Sequence, residues 1–234
     1  MLYRALNTLL PSECSTKTRI HMESMVKFDE LIRHFGPRAV SQLCYEAAAD
    51  NLGLDAMSRL NSGSRVAAIR KWMDLYKVLQ GVDGARRDAI AQAALDWADR
   101  QEAESRLDTL DKLVHSHAEL MSACSQADGR SRDFTSLASK ALWLRYPHEV
   151  PLYDSFAQEA LWMLSKLEAG LPAIPTNATK YGAFALIWRA LYDRYASSIA
   201  VIDSKGYPYR VRIFDRILWL LGAPLYTIPG ALGN

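Results

Sequence analysis

The chain has 234 residues, half of them hydrophobic and 23% charged; it can bury a full core and is not a disordered chain. With 12 glycines and 9 prolines it is not a collagen, a propeller or a turn-dense all-β fold. The formal net charge of +2 excludes a polybasic nucleic-acid coat, though not a local basic groove.

The start, MLYRALNTLLPSECS, has one arginine and a short, interrupted apolar stretch, so no signal peptide is expected there. Residues 22–35 and 37–52 read as two helices, with Gly36-Pro37 starting the second. In 64–80, Val66, Ile69, Trp72, Met73, Tyr76 and Leu79 recur at helical spacing, with Ser64 as N-cap and Gly81 as stop. The helical pattern continues from Ala85 to Gln126, with a break expected near Glu104–Leu107. DGRSRD at 128–133 is the clearest turn signal. A helix at 134–145, a Pro-bounded connection from Tyr146 to Tyr153 and a helix at 155–168 follow. Ser155-x-x-Gln158 has the form of a capping box. GLPAIPTNAT is a loop, and 180–202 reads as one long helix. Its stripe of Tyr181, Phe184, Trp188, Leu191 and Tyr195 is expected to be core packing. SKGYPY turns the chain into a last helix at 209–221. The uncharged stretch from Ile217 is broken by Gly222, Pro224, Pro229 and Gly230, so no membrane span and no membrane partner are expected.

The expected fold is therefore all-α: one domain over 1–234, about eight to ten helices, with no strong linker. Residues 1–128 carry 16 Lys and Arg against 18 Asp and Glu, and residues 129–234 carry 12 against 8. An anionic partner would then meet the C-terminal half. Cys14, Cys44 and Cys124 are far apart and form no CxxC pair, which fits a reducing cytoplasm and gives no cysteine zinc motif. His115 and His117, two apart on a helix, point to different faces. No metal and no cofactor are expected.

Chemistry concentrates in one segment, DFTSLASKALWLRYPHEVPLYDSFAQEAL, from Asp133 to Leu161. Lys140 sits near a small-residue helix start (Ser136, Ala138, Ser139), where backbone N–H groups can meet a phosphate. Asp154 opens the next helix, a position that favours its ionised form.

This segment resembles the core of the helix-hairpin-helix DNA glycosylase superfamily, above all bacterial proteins with an 8-oxoguanine DNA glycosylase fold. The phrase Pro151-Leu152-Tyr153-Asp154-Ser155 and the ending YPYRVRIFDRILWLLG are similar to that bacterial branch. The motif-bearing core would span 129–221. The resemblance implies that Ser136-Leu137-Ala138 replaces a hairpin whose two glycines are absent here, that Lys140 is a catalytic lysine and that Asp154 is its catalytic aspartate. It implies a damaged nucleotide extruded into a pocket, attack of the Lys140 amine on the sugar C1′, and charge stabilisation by Asp154. Trp143, Tyr153, Phe156 and Trp219 would line the base pocket, and Ser136, Ser139, Arg210, Arg212 and Arg216 would hold phosphates. Similar bacterial proteins stand beside cyclic-nucleotide antiphage defence genes. Two functions follow. One is a DNA N-glycosylase, with or without lyase activity, acting on a modified purine. The other is a repurposed fold that binds a nucleobase-like group or a defence-operon protein. The Lys/Asp pair favours the first; the near-neutral charge and the lost glycines favour the second.

Overall fold

Helical periodicity dominates the sequence, and the computed structural model, which describes residues 28–58, 64–101 and 106–223, is helical throughout. Nine α-helices and no strand occur among those residues. The start of the chain, Cys14, Glu104 and the breakers Pro224, Pro229 and Gly230 lie outside them. The first four helices are α1 (Phe28–Met57), α2 (Arg65–Leu75), α3 (Gly84–Arg100) and α4 (Leu110–Asp128). Next come α5 (Thr135–Arg145), α6 (Ser155–Leu167), α7 (Lys180–Arg194), the short α8 (Ala196–Ala200) and α9 (Arg210–Gly222).

Helices α1 to α4 pack each on the next, α4 continues onto α5 and α7, and α9 closes the arrangement by lying between α6 and α1. Among the described residues no helix is long and apolar enough to cross a membrane. The 180–202 stripe is core as expected at Tyr181, Phe184, Trp188 and Leu191, all nearly inaccessible. Trp188 stacks on Tyr192 at 4.7 Å and meets Phe214 edge-on at 5.2 Å.

Local signals start and stop these helices. Ser64, Asp83, Thr109 and Thr179 each accept an N–H from the first turn they precede. Gly129, with φ 66°, ends α4 in the left-handed conformation, within the DGRSRD turn.

Three helix expectations are corrected. Residues 28–57 form one helix with Pro37 inside it. Pro37 has no N–H for the Arg33 carbonyl, a cost of about 3 kcal/mol. Yet Leu31, Ile32 and Phe35 before it and Ala39, Val40 and Leu43 after it enter the same core, and their burial outweighs the lost bond. Gly36 also lets Ile202 approach; a Cβ there would lie 2.9 Å from Ile202 Cδ1. The 64–80 helix ends early, at Leu75, because Lys77 turns left-handed (φ 53°) while its N–H bonds the Asp74 carbonyl and that of Val78 bonds the Met73 carbonyl. The 180–202 helix is divided at Tyr195, whose hydroxyl is held by Glu168.

Helices α6 and α9 approach each other closely. A Cβ on Gly222 would fall 1.8 Å from the Phe156 carbonyl oxygen, which is backbone and cannot rotate away. Gly222→Ala is therefore expected to destabilise the protein by about 3 kcal/mol or more. Gly129→Ala, strained in φ but facing open space, should cost only about 1 kcal/mol. Denaturant unfolding of both variants checks the order; equal losses would contradict it.

Candidate functional site

The connection between α5 and α6 is the scaffold of the site. Pro147 and Pro151 prevent a helix there; 151–154 lies outside any helix or strand, and Asp154 is extended (φ −144°, ψ 147°). Three side chains from three helices hold it. Ser139 of α5 accepts the Tyr153 N–H at 2.9 Å and donates to the Ser136 carbonyl at 3.0 Å. Tyr181 of α7 donates its hydroxyl to the Pro151 carbonyl at 3.0 Å. Asp215 of α9 accepts the Leu152 N–H at 3.1 Å through one oxygen and the Trp188 indole N–H at 2.7 Å through the other.

This clamp brings Asp154 to Lys140. Lys140 Nζ donates to Ser136 Oγ at 2.6 Å and to the Tyr153 carbonyl at 3.3 Å, and lies 3.6 Å from Asp154 Oδ2. The other Asp154 oxygen accepts the Phe156 N–H at 3.0 Å and caps α6. The cap is thus Asp154 and not Ser155. Gln158 does not complete a capping box; its side-chain oxygen accepts the Tyr153 hydroxyl. Lys140 is only 7% exposed. Burial, seconded by the charge of Arg212, pulls its pKa down to about 8, although Asp154 works in the opposite direction. Burial pushes the Asp215 carboxyl up to about 7, against Arg212 and its two N–H donors.

Lys140 and Asp154 open onto a cavity of about 730 Å³, a volume ordinary for small-molecule sites. Its buried floor is Lys140, Leu152, Ala157, Arg212 and Asp215, with Trp219 and Glu46 on partly exposed walls. Its mouth carries Tyr45, Lys71, Leu75 and Lys77, all exposed. Behind the wall runs a buried polar network. Asp50, 1% exposed, accepts the hydroxyls of Tyr76 and, at 2.8 Å, Tyr207. Arg212 reaches Glu46 and the Tyr76 hydroxyl, and Arg216 pairs with Glu46. Burial and the Asp50 carboxylate hold Tyr76 and Tyr207 well above the usual phenol range, so both stay protonated donors.

The expected site residues divide. Lys140, Asp154, Arg212, Arg216 and Trp219 meet at the cavity. Trp143 is wholly buried, with its indole N–H on the Pro147 carbonyl, and Tyr153 is buried against Phe184; neither lines the cavity. Phe156 supports Trp219 edge-on at 5.8 Å from behind rather than lining the space. Ser139 spends its hydroxyl on the backbone clamp, and Ser136 accepts Lys140. Arg210 donates to the Ile199 and Ile202 carbonyls behind α8. Nor does the start of α5 await a phosphate. Asp133 takes the Thr135 N–H there and pairs with Lys180 at 2.8 Å. Burial alone would raise the Asp133 pKa, but Lys180 and Thr135 hold it at about 2, so the carboxylate repels an anion.

Sequence reading missed Glu46, Asp50, Tyr76, Tyr207 and Asp215. Asp215 alone carries a legible signal, an acid among the apolar residues of α9. His117, stacked on Tyr181 at 3.8 Å and bonded to the Thr135 carbonyl, is a core residue whose pKa burial lowers to about 4. Among the described residues no group of three or more His, Cys, Asp and Glu is arranged to hold a metal. A second cleft of about 690 Å³ between α2 and α3 has its arginine already paired, Arg70 with Asp88 at 2.8 Å. Compared with known proteins, the chain matches no family model, no curated protein and no solved structure.

A lysine charged in burial destabilises the fold. Because its pKa falls from 10.5 to about 8, the unfolded chain binds more protons between those values, and stability rises with pH across that window. Lys140→Met is expected to stabilise the protein at pH 7 by about 2–3 kcal/mol, an advantage that shrinks from pH 8 to pH 10.5. Thermal unfolding of both proteins across this range measures it; a less stable variant at pH 7 would refute the burial argument.

Proposed function

We propose that the cavity binds a modified purine nucleoside unit and that Lys140 attacks its sugar, the chemistry of a DNA N-glycosylase with lyase capacity. The observation that carries this reading is the Lys140 amine, buried at the cavity floor with a lowered pKa and Asp154 at 3.6 Å. At pH 7 roughly one such amine in ten is neutral, against about one in three thousand at an ordinary lysine pKa. The neutral amine supplies its electron pair to C1′, and the glycosidic bond breaks with its electrons going to the base, which leaves protonated by the medium. Asp154 stabilises the positive charge developing on the sugar and takes the proton released by the amine. Ring opening then gives a Schiff base between Nζ and C1′. Trp219, with Arg216 over its ring at 5.4 Å, offers a face for the base.

A second reading has its own observation. Arg210, Arg212, Arg216 and the α5 start are all taken by partners within the chain. Among the described residues, the groups expected to grip a duplex backbone are thus engaged within the chain, which favours a pocket that holds a nucleobase-bearing ligand or a partner without chemistry.

Borohydride reduction during incubation with oligonucleotides bearing modified purines decides between them. Wild-type protein should be trapped covalently, and Lys140→Gln should not. Trapping should rise roughly tenfold per pH unit below pH 8 and level off above it, since only the neutral amine attacks. Asp154→Asn should lower the plateau about 100-fold or more and move it to lower pH, because the carboxylate that raises the Lys140 pKa is gone. Binding without trapping at any pH would leave the second reading.

A further inference from the structure

The cations around the cavity fall into two groups. Those at the floor are neutralised: Lys140 by Asp154, and Arg212 and Arg216 by Glu46, with Asp50 behind. Lys71 and Lys77 at the mouth are exposed, and their side-chain amines have no ion-pair or hydrogen-bond partner among the described residues. The neighbouring acids are engaged elsewhere, Asp74 with Arg87 at 2.8 Å and Asp88 with Arg70 at 2.8 Å. The carbonyls at the end of α2, which would oppose an anion, are partly satisfied by the N–H groups of Lys77 and Val78.

Lys77 has a second peculiarity. It occupies the left-handed position (φ 53°) that closes α2, where glycine is the unstrained residue. A lysine there keeps a cation at the mouth against a backbone preference. Tyr45, 91% exposed, and Leu75, 55% exposed, stand at the same rim.

We infer that Lys71 and Lys77 form the phosphate subsite of this protein, at the mouth of the cavity, in place of the hairpin serines and the α9 arginines. The inference rests on the reading of the cavity as a nucleoside pocket: a near-neutral floor takes base and sugar, and an unpaired cationic rim takes the phosphate attached to them. The phosphate belongs either to a free nucleotide or to a strand, whose neighbouring base would then meet Tyr45.

Four probes test it by titration calorimetry at low salt. Inorganic pyrophosphate needs no base and reports on the rim alone. Modified-purine deoxynucleosides, their 5′-monophosphates and five-nucleotide single strands containing them report on rim and pocket together. Wild-type protein should bind pyrophosphate, and the double variant Lys71→Glu/Lys77→Glu should bind it at least tenfold more weakly. The same variant should erase the gain of monophosphate over nucleoside if the source is a free nucleotide. If the source is a strand, it should lower the salt slope of strand binding by about 1.4, two phosphates' worth. Lys77→Gly should weaken pyrophosphate binding while raising stability, which separates charge loss from misfolding. Pyrophosphate that fails to bind, or binds both proteins equally, overturns the inference. Pyrophosphate bound through the lysines while no nucleoside of the panel binds would uphold the rim and overturn the nucleoside pocket.

Discussion

The site depends on one constraint: the 151–154 segment must lie against α5 closely enough to bury an amine. Its backbone has no sheet neighbour, so its polar groups need side-chain partners. Ser139, Tyr181 and Asp215 supply them at 2.9, 3.0 and 3.1 Å, each from a different helix. The fold and the site are therefore coupled. Tyr181 and Trp188 lie in the α7 stripe that fills the core, and both also fix the segment, Trp188 through Asp215.

A second layer of coupling runs through α9. One face of it packs on α6 so closely that only glycine fits at 222. From the same helix Arg212, Asp215, Arg216 and Trp219 reach the cavity. Several of these groups are charged and nearly buried, a state that requires pairing. Glu46, Asp50, Tyr76 and Tyr207 provide it from α1 and from the turns after α2 and α8. The arginines thereby become part of a rigid wall. Their charge still acts at a distance: Arg212 helps keep Lys140 from holding its proton and opposes the rise of the Asp215 pKa.

This arrangement differs from a duplex-binding surface in a physical way. A surface that grips a phosphate backbone keeps its cations solvated and available. Here the buried cations around the cavity are spent on internal carboxylates, and the exposed ones at that cavity, Lys71 and Lys77, stand at its mouth.

By itself the sequence determined the helical class, the Ser64 cap, the turn at 128–133 and the buried stripe of α7, while the nearness of Lys140 and Asp154 is an expectation from the family resemblance. The helices, the cap and the turn follow from local rules: apolar spacing, a serine at a helix start, and prolines that keep the α5–α6 connection out of a helix. Tertiary structure decided what local rules cannot see. It carried α1 straight through Pro37, because the residues on both sides share one core. It buried Trp143 and Tyr153, which sequence placed in the pocket, and it committed Ser139 and Arg210 to backbone carbonyls and N–H groups. It also joined Glu46 and Asp50, more than 150 positions away in the chain, to Arg212, Arg216 and Tyr207. Whether a charge faces a ligand or an internal partner depends on which helices meet, and no spacing within one helix records that.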